Sequence, residues 1–247
     1  MTAVAQDGSA RWRDRAWWPR LWGWVSLLVV AAVVGFLVGR AIYRAVTVTP
    51  SERVVIIETS ACGNSSKTSG RGVVVGPNRV LTAAHTVSGA GEVSVLPRTD
   101  EYSAVARVVA YDQRSDLALL DVHGFDGGEV EVAEVAADDL VTIHGVGLGS
   151  QRALVTERAE IRIEGVRSSE RGSRFGFVLN RDIELGESGA PVFDQQDRLV
   201  GIVFGRSGET ERRTFAVRAE EIEAILAMPE TEWRCDPEAS ELVRADE

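Results

Sequence analysis

Three short segments of the chain carry residue types that acyl-transfer chemistry needs. They are Val80-Leu81-Thr82-Ala83-Ala84-His85, Arg114-Ser115-Asp116-Leu117-Ala118-Leu119-Leu120 and Gly186-Glu187-Ser188-Gly189-Ala190-Pro191. A serine hydroxyl is a poor nucleophile because its pKa lies far above neutrality. It attacks a carbonyl when an imidazole takes its proton and a carboxylate holds that imidazole in the right tautomer. In chain order the segments offer a general base (His85), an orienter (Asp116) and a nucleophile (Ser188). The two remaining histidines lack any such setting: His123 precedes Gly124 in a turn, and His144 sits in an apolar run as a structural histidine would. Asp116 is preferred over Asp112 and Asp121 because it stands at the mouth of the apolar run Leu117–Leu120, where one carboxylate enters a buried setting. The other two read as solvated strand-end residues. Gly186 and Gly189 permit backbone conformations closed to other residues. They let the amides of Gly186 and Ser188 face the oxyanion that develops on an attacked carbonyl.

The elements that position these residues are short and β-rich. Runs predicted as strands are 54–58, 72–75, 80–82, 93–96, 104–109, 117–122, 141–146, 161–166, 175–179, 199–204 and 214–217, separated by turn signals such as Gly76-Pro77-Asn78. Many short strands at this spacing predict barrels or a sandwich. One helix is predicted near the end, from about Ala219 to Met228, with Ile222, Ile225 and Leu226 on one face. Two barrels would explain a split triad, with His85 and Asp116 on the first and Ser188 on the second. A substrate strand would lie in the cleft between them, paired to exposed sheet edges.

These segments resemble the trypsin-like serine proteases, and more closely the compact bacterial HtrA-like branch. The resemblance rests on Leu-Thr-Ala-Ala-His, on Tyr111-Asp112-x-x-Ser115-Asp116-Leu-Ala-Leu-Leu, on Gly186 to Val192 and on the following Leu199-Val200-Gly201-Ile202-Val203, and it covers roughly residues 51–228. It implies two six-stranded antiparallel β-barrels of the chymotrypsin kind with a C-terminal helix. It also implies peptide-bond hydrolysis through an acyl-enzyme, without metal or cofactor. Asp182, six residues before Ser188, falls where the floor of the primary specificity pocket lies in this family. An acid there favours Arg or Lys substrates in trypsin, so a basic residue just before the scissile bond, paired with Asp182, is the expectation, whereas HtrA-like enzymes often take small aliphatic residues. The alternative for Asp182 is a pair with Arg181 or another arginine. Glu187 and Ala190 depart from the Asp and Gly of the commonest trypsin-like pattern. In zymogen-activated members the acid at the Glu187 position pairs with a newly cut N-terminus, for which Arg53-Val54-Val55 would be the cut site. HtrA-like relatives begin their first strand with a similar run and need no cut, so no zymogen step is expected.

The chain has 247 residues and a formal net charge of −10 at pH 7, with acidic residues concentrated after Glu220. That balance argues against nucleic-acid binding, which needs a basic face. Leu21 to Gly39 carries no charge and as a helix would reach about 28 Å, enough to span a hydrocarbon core. Tryptophans 12, 17, 18, 22 and 24 cluster at its start, and Arg11, Arg13, Arg15 and Arg20 precede it, which favours a cytoplasmic N-terminus. A cleaved signal peptide is the rival, since Gly39-Arg40-Ala41 offers a small-x-small pattern, but the apolar run is longer than a usual signal core. With the following domain outside the cytoplasm, the two cysteines, Cys62 and Cys235, are expected to form one disulfide. An N-terminal span and a lone cysteine pair also resemble membrane-anchored actinobacterial proteases of the MarP kind.

The expected organisation is a cytoplasmic tail (1–20), a transmembrane helix (21–39), a linker (40–52), a protease domain (53–228) and an acidic tail (229–247). The expected function is a membrane-anchored extracytoplasmic serine endopeptidase acting on protein or peptide substrates. The rival from another class is a silent protease-fold protein that binds an extracytoplasmic partner without cutting it.

Overall fold

The computed structural model describes residues 25–26, 28–35, 48–62, 67–98, 102–145, 149–163, 172–207 and 212–231. The chain divides into two compact units, 1–47 and 48–247. In the first, the described residues are helical and expose their apolar side chains, with Leu28 at 66% and Val30 at 60%. Among the described residues no helix is long and apolar enough to cross a membrane. Parts of the expected 21–39 span, the tail before it and Cys235 lie outside the described residues.

The second unit holds two closed antiparallel barrels of six strands each. The first contains β1 (Val54–Ala61), β2 (Lys67–Gly76), β3 (Arg79–Ala83), β4 (Ala90–Pro97), β5 (Ala104–Asp112) and β6 (Leu117–Asp121). The second contains β7 (Leu140–His144), β8 (Ser150–Ile163), β9 (Gly172–Leu179), β10 (Pro191–Phe193), β11 (Leu199–Arg206) and β12 (Thr214–Arg218). The strand order is 1-2-3-6-5-4 in one barrel and 10-11-12-9-8-7 in the other, so both barrels close the same way. Among the described residues two helices complete the unit, a single turn α1 (Ala84–Val87) after β3, and α2 (Ala219–Leu226) after β12. Glu220 and Glu221 in the first turn of α2 complement the positive end of its dipole.

Three apolar clusters hold this arrangement. Val55, Ile57, Val80, Val95 and Leu120 fill the first barrel, and Val141, Ile143, Phe177, Leu179 and Val203 fill the second. The third cluster joins the barrels through Leu81, Leu117 and Leu119 on one side and Leu199, Ile202 and Val217 on the other, with Ile222 and Ile225 of α2 packed in. Burial of this non-directional kind fixes the barrels against each other without specifying chemistry. The site therefore depends on turns at the cleft edge.

Most predicted strands match to within a few residues, and α2 ends two residues before the expected Met228. Two segments differ. β10 is only three residues long and begins at Pro191, the last residue of the Gly186–Pro191 segment, where glycine and proline signal a turn. β8 extends far upstream of the expected start at Ile161, through Glu157-Arg158-Ala159-Glu160. Those residue types are poor strand formers, and long pairing with β7 and β9 overrides them. Asp121, expected to be solvated, instead accepts from Arg79 at 2.7 Å and Arg107 at 2.9 Å. The Arg107 hydrogen bond, and then the two guanidinium charges against opposing burial, hold its carboxyl below the usual carboxylate range.

Candidate active site

His85 sits on α1, the turn into which β3 folds as it leaves the barrel, and its side chain is 37% exposed. Asp116 ends the β5–β6 turn in a left-handed conformation with φ of 61° and is only 3% exposed. That conformation costs a non-glycine residue energy, so the turn must hold it in place. Asp112 supplies the hold, because its carboxylate accepts from Arg114 N at 2.9 Å, Ser115 N at 3.3 Å and Ser115 Oγ at 2.7 Å. Asp112 is thus the brace of this turn and not the solvated residue expected.

The two segments meet at three points. Ala84 N donates to Asp116 O at 2.9 Å, His85 N donates to Asp116 Oδ1 at 2.9 Å, and His85 Nδ1 lies 2.8 Å from Asp116 Oδ2. An ionised carboxylate only accepts, so the ring proton belongs on Nδ1 and Nε2 is left as the basic nitrogen. Arg174 of β9 brings a guanidinium to 3.7 Å from the same Oδ2, while stacking 5.4 Å from the centroid of Phe204. A residue of the second barrel therefore reaches the carboxylate of the first.

Ser188 lies in a turn between Gly186 and Gly189, both with φ of 89°. Ser188 O accepts from Arg71 N of β2 at 2.7 Å. Gly70 is wedged where α1, β2 and this turn converge. A methyl group on it would stand 2.8 Å from Thr86 Oγ1 and 3.0 Å from Ser188 O, so the residue after His85 and the backbone of Ser188 flank the same point. Within the turn, Glu187, Gly189 and Ala190 donate to Glu184 O, Val203 O and Glu187 O. The amides of Gly186 and Ser188 donate to no acceptor among the described residues. Two unengaged N–H groups beside a serine are what a developing oxyanion requires.

Gly189 presses against β2 so closely that a Cβ would overlap the Arg71 carbonyl oxygen and stand 2.7 Å from Thr82 Oγ1. Gly189→Ala combines a left-handed φ with a backbone clash and should destabilise the domain by about 2–5 kcal/mol. Urea unfolding of variant and parent checks this. An unchanged midpoint would mean that the turn does not depend on the close approach.

The remaining expected site residues fall as follows. Asp182 is 42% exposed, accepts from Ile183 N at 3.0 Å and pairs with Arg206 at 3.5 Å. Arg181 instead donates to Arg152 O. His144 accepts or donates through Nδ1 to Ser150 Oγ at 2.9 Å and packs edge-on against Phe193, and burial lowers its pKa. His123 is exposed in its turn. Cys62 is buried, and no described cysteine is free. Three arginines, none singled out from the sequence, pair with the candidate segments: Arg71 with Glu187, Arg174 with Asp116 and Arg206 with Asp182. Arg71 had a legible signal, an arginine between two glycines at the entry to an apolar strand. Arg174 and Arg206 had none, since what they meet comes from distant segments.

A family described as the trypsin-like peptidase domain matches residues 70–202, more than half of the chain. The serine protease Rv3671c of Mycobacterium tuberculosis is 30% identical over 165 residues, which cover 64% of this chain and 41% of that protein. Protease Do-like 2, chloroplastic, of Arabidopsis thaliana is 33% identical over 157 residues, covering 60% of this chain and 26% of its own length. The chain thus spans about two fifths or less of the length of these curated relatives. The crystal structure of the active form of the Rv3671c protease superposes with a TM-score of 0.64 at 26% identity, covering 75% of this chain and 86% of that one. The HtrA-type protease AlgW, solved with a tripeptide, shares the fold with a TM-score of 0.59 at 16% identity.

Proposed function

The chain belongs to the trypsin-like peptidase family, and from that premise we propose that it is a serine endopeptidase working through His85, Asp116 and Ser188. The observation that carries the reading is the Asp116 carboxylate, which holds both the backbone N–H and the ring nitrogen of His85. Nε2 of His85 takes the Ser188 proton as Oγ attacks the scissile carbonyl. The amides of Gly186 and Ser188 receive the negative charge on the carbonyl oxygen. His85 then returns the proton to the leaving amine, and an acyl-enzyme remains on Ser188. Water, deprotonated by His85, releases the acyl group and regenerates the serine. The route draws on three side chains, two backbone amides and water. Fluorophosphonate labelling of the purified chain tests it, with labelling expected at Ser188 and lost in Ser188→Ala. An unlabelled wild type would favour a silent binding protein instead.

The substrate-binding role of Asp182 enters with a change. A carboxylate selects a substrate guanidinium strongly only when it is desolvated and otherwise unpaired. Asp182 is partly exposed and already faces Arg206, which favours an uncharged residue before the scissile bond. Profiling against a peptide library that shows a strong Arg or Lys preference would reverse this reading.

The same proposal places the domain outside the cytoplasm, anchored by residues 21–39 with the N-terminus inside. The exposed apolar side chains of the helical residues 25–26 and 28–35 support it, since such a surface is stable in lipid and costly in water. In that compartment Cys62 and Cys235 form a disulfide tying β1 to the segment after α2. Closing so long a loop would stabilise the fold by about 4–5 kcal/mol in the chain-entropy model. Alkylation of the unreduced protein should find no thiol. Two modified cysteines would remove both the bond and the argument for the compartment.

A further inference from the structure

We propose that Arg71 is a positioning residue that keeps the nucleophile turn in its working shape, doing through its side chain what a newly cut N-terminus does in zymogen-activated members of the family. The inference rests on the reading of Ser188 as nucleophile.

Arg71 grips the turn at three points. Its N–H donates to Ser188 O at 2.7 Å, its carbonyl is the surface on which Gly189 closes, and its guanidinium lies 3.4 Å from Glu187 Oε1. Both side chains are withdrawn from water, Arg71 to 14% exposure and Glu187 to 5%. Thr82 Oγ1 fixes the Arg71 carbonyl at 2.6 Å, and the Arg71 Nη1 donates to Gly70 O at 3.0 Å, so the gripping residue is itself held. On its far side Glu187 is backed by the β7–β8 turn, where any side chain at Gly145 would overlap its carboxylate. A buried carboxylate without a cation would be expelled or neutralised. Glu187 immediately precedes Ser188, so its expulsion would rotate the peptide groups that aim the Gly186 and Ser188 amides.

The alternative cation is out of reach. The Arg53 guanidinium donates to Val74 O at 3.1 Å, Gly128 O at 2.9 Å and Glu129 O at 3.3 Å. Val54, fully buried, already pairs with Val73 in the β1–β2 ladder. A protease cutting after Arg53 would have to strip β1 from the barrel first. The cation for Glu187 is supplied by β2 of the first barrel, which makes the geometry of the second barrel's turn conditional on docking of the two.

The test uses the full chain and the variants Arg71→Gln, Arg71→Lys, Glu187→Gln and the Arg71→Gln/Glu187→Gln double. Fluorophosphonate labelling rate, kcat and KM on a peptide ester, and thermal melting are measured for each. Arg71→Gln and Glu187→Gln should each lower labelling rate and kcat by about 100-fold or more, the scale of losing an oxyanion donor. KM should move by less than about threefold. Arg71→Lys should recover much of the loss, and the double variant should be no worse than the poorer single. If Arg71→Gln does not fold, Glu187→Gln carries the same expectation with β2 unchanged. Wild-type kcat in the folded variants overturns the inference, even with a lower melting temperature, because a purely structural ion pair would behave that way. A wild type that does not label would overturn the nucleophile assignment instead.

Discussion

Ser188→Ala and His85→Ala should each reduce turnover by about a millionfold, and the double variant should lose little beyond either single. The expectation of non-additivity follows from the geometry. Each proton that His85 moves in the proposed route serves either the attack by Ser188 or the release of the acyl group that this attack creates, so with that hydroxyl gone a well-oriented imidazole has nothing to activate. Residual hydrolysis above the uncatalysed rate would come from the Gly186 and Ser188 amides, which alanine leaves in place, and would amount to about a thousandfold. Single-turnover assays on a peptide substrate measure all three variants. Losses that multiply in the double would mean that the residues act independently and that His85 is not the base for Ser188.

Asp116→Asn should lower kcat by about 10,000-fold while leaving the fold largely intact. An asparagine can still accept from His85 N, as Asp116 Oδ1 does at 2.9 Å. Its amide group would then face Nδ1, forcing that nitrogen to accept and placing the ring proton on Nε2, where it blocks the base. A second effect passes through Arg174. Arg174, 14% exposed and 3.7 Å from Oδ2, would lose its carboxylate and be left as a largely buried charge. Arg174→Met in the same background should therefore restore stability and not activity, which calorimetry and kinetics separate. If Asp116→Asn kept wild-type kcat, orientation of His85 by this carboxylate would be wrong.

Local chemistry was legible in the sequence wherever it is encoded within a few residues. The segments bearing His85, Asp116 and Ser188, the glycines at 186 and 189 and the helix α2 are all visible within short runs of residues. What was hidden is set by partners far along the chain. β8 contains Glu157, Arg158 and Glu160, and nothing in that run says strand until β7 and β9 lie beside it. Asp112 and Asp121 look alike in sequence as acids flanking an apolar run. One braces the turn under Asp116 and the other gathers two arginines, because different neighbours reach them. Asp182 illustrates the same limit, since Arg206 arrives from another strand to meet it. Spacing identifies candidates for chemistry, and long-range pairing decides their charge.

Each barrel is built from one uninterrupted stretch of chain, 54–121 for the first and 140–218 for the second. Domains form as units, N-terminal part first, as a chain emerges from the ribosome or a translocation pore. The first barrel can close with His85 and Asp116 in place while the stretch bearing Ser188 is still unmade. During all of that time the emerging polypeptide holds the proposed base and its proposed orienter with no serine to activate. If these residues have the proposed roles, the order of the two barrels along the chain keeps a half-made copy from cutting itself.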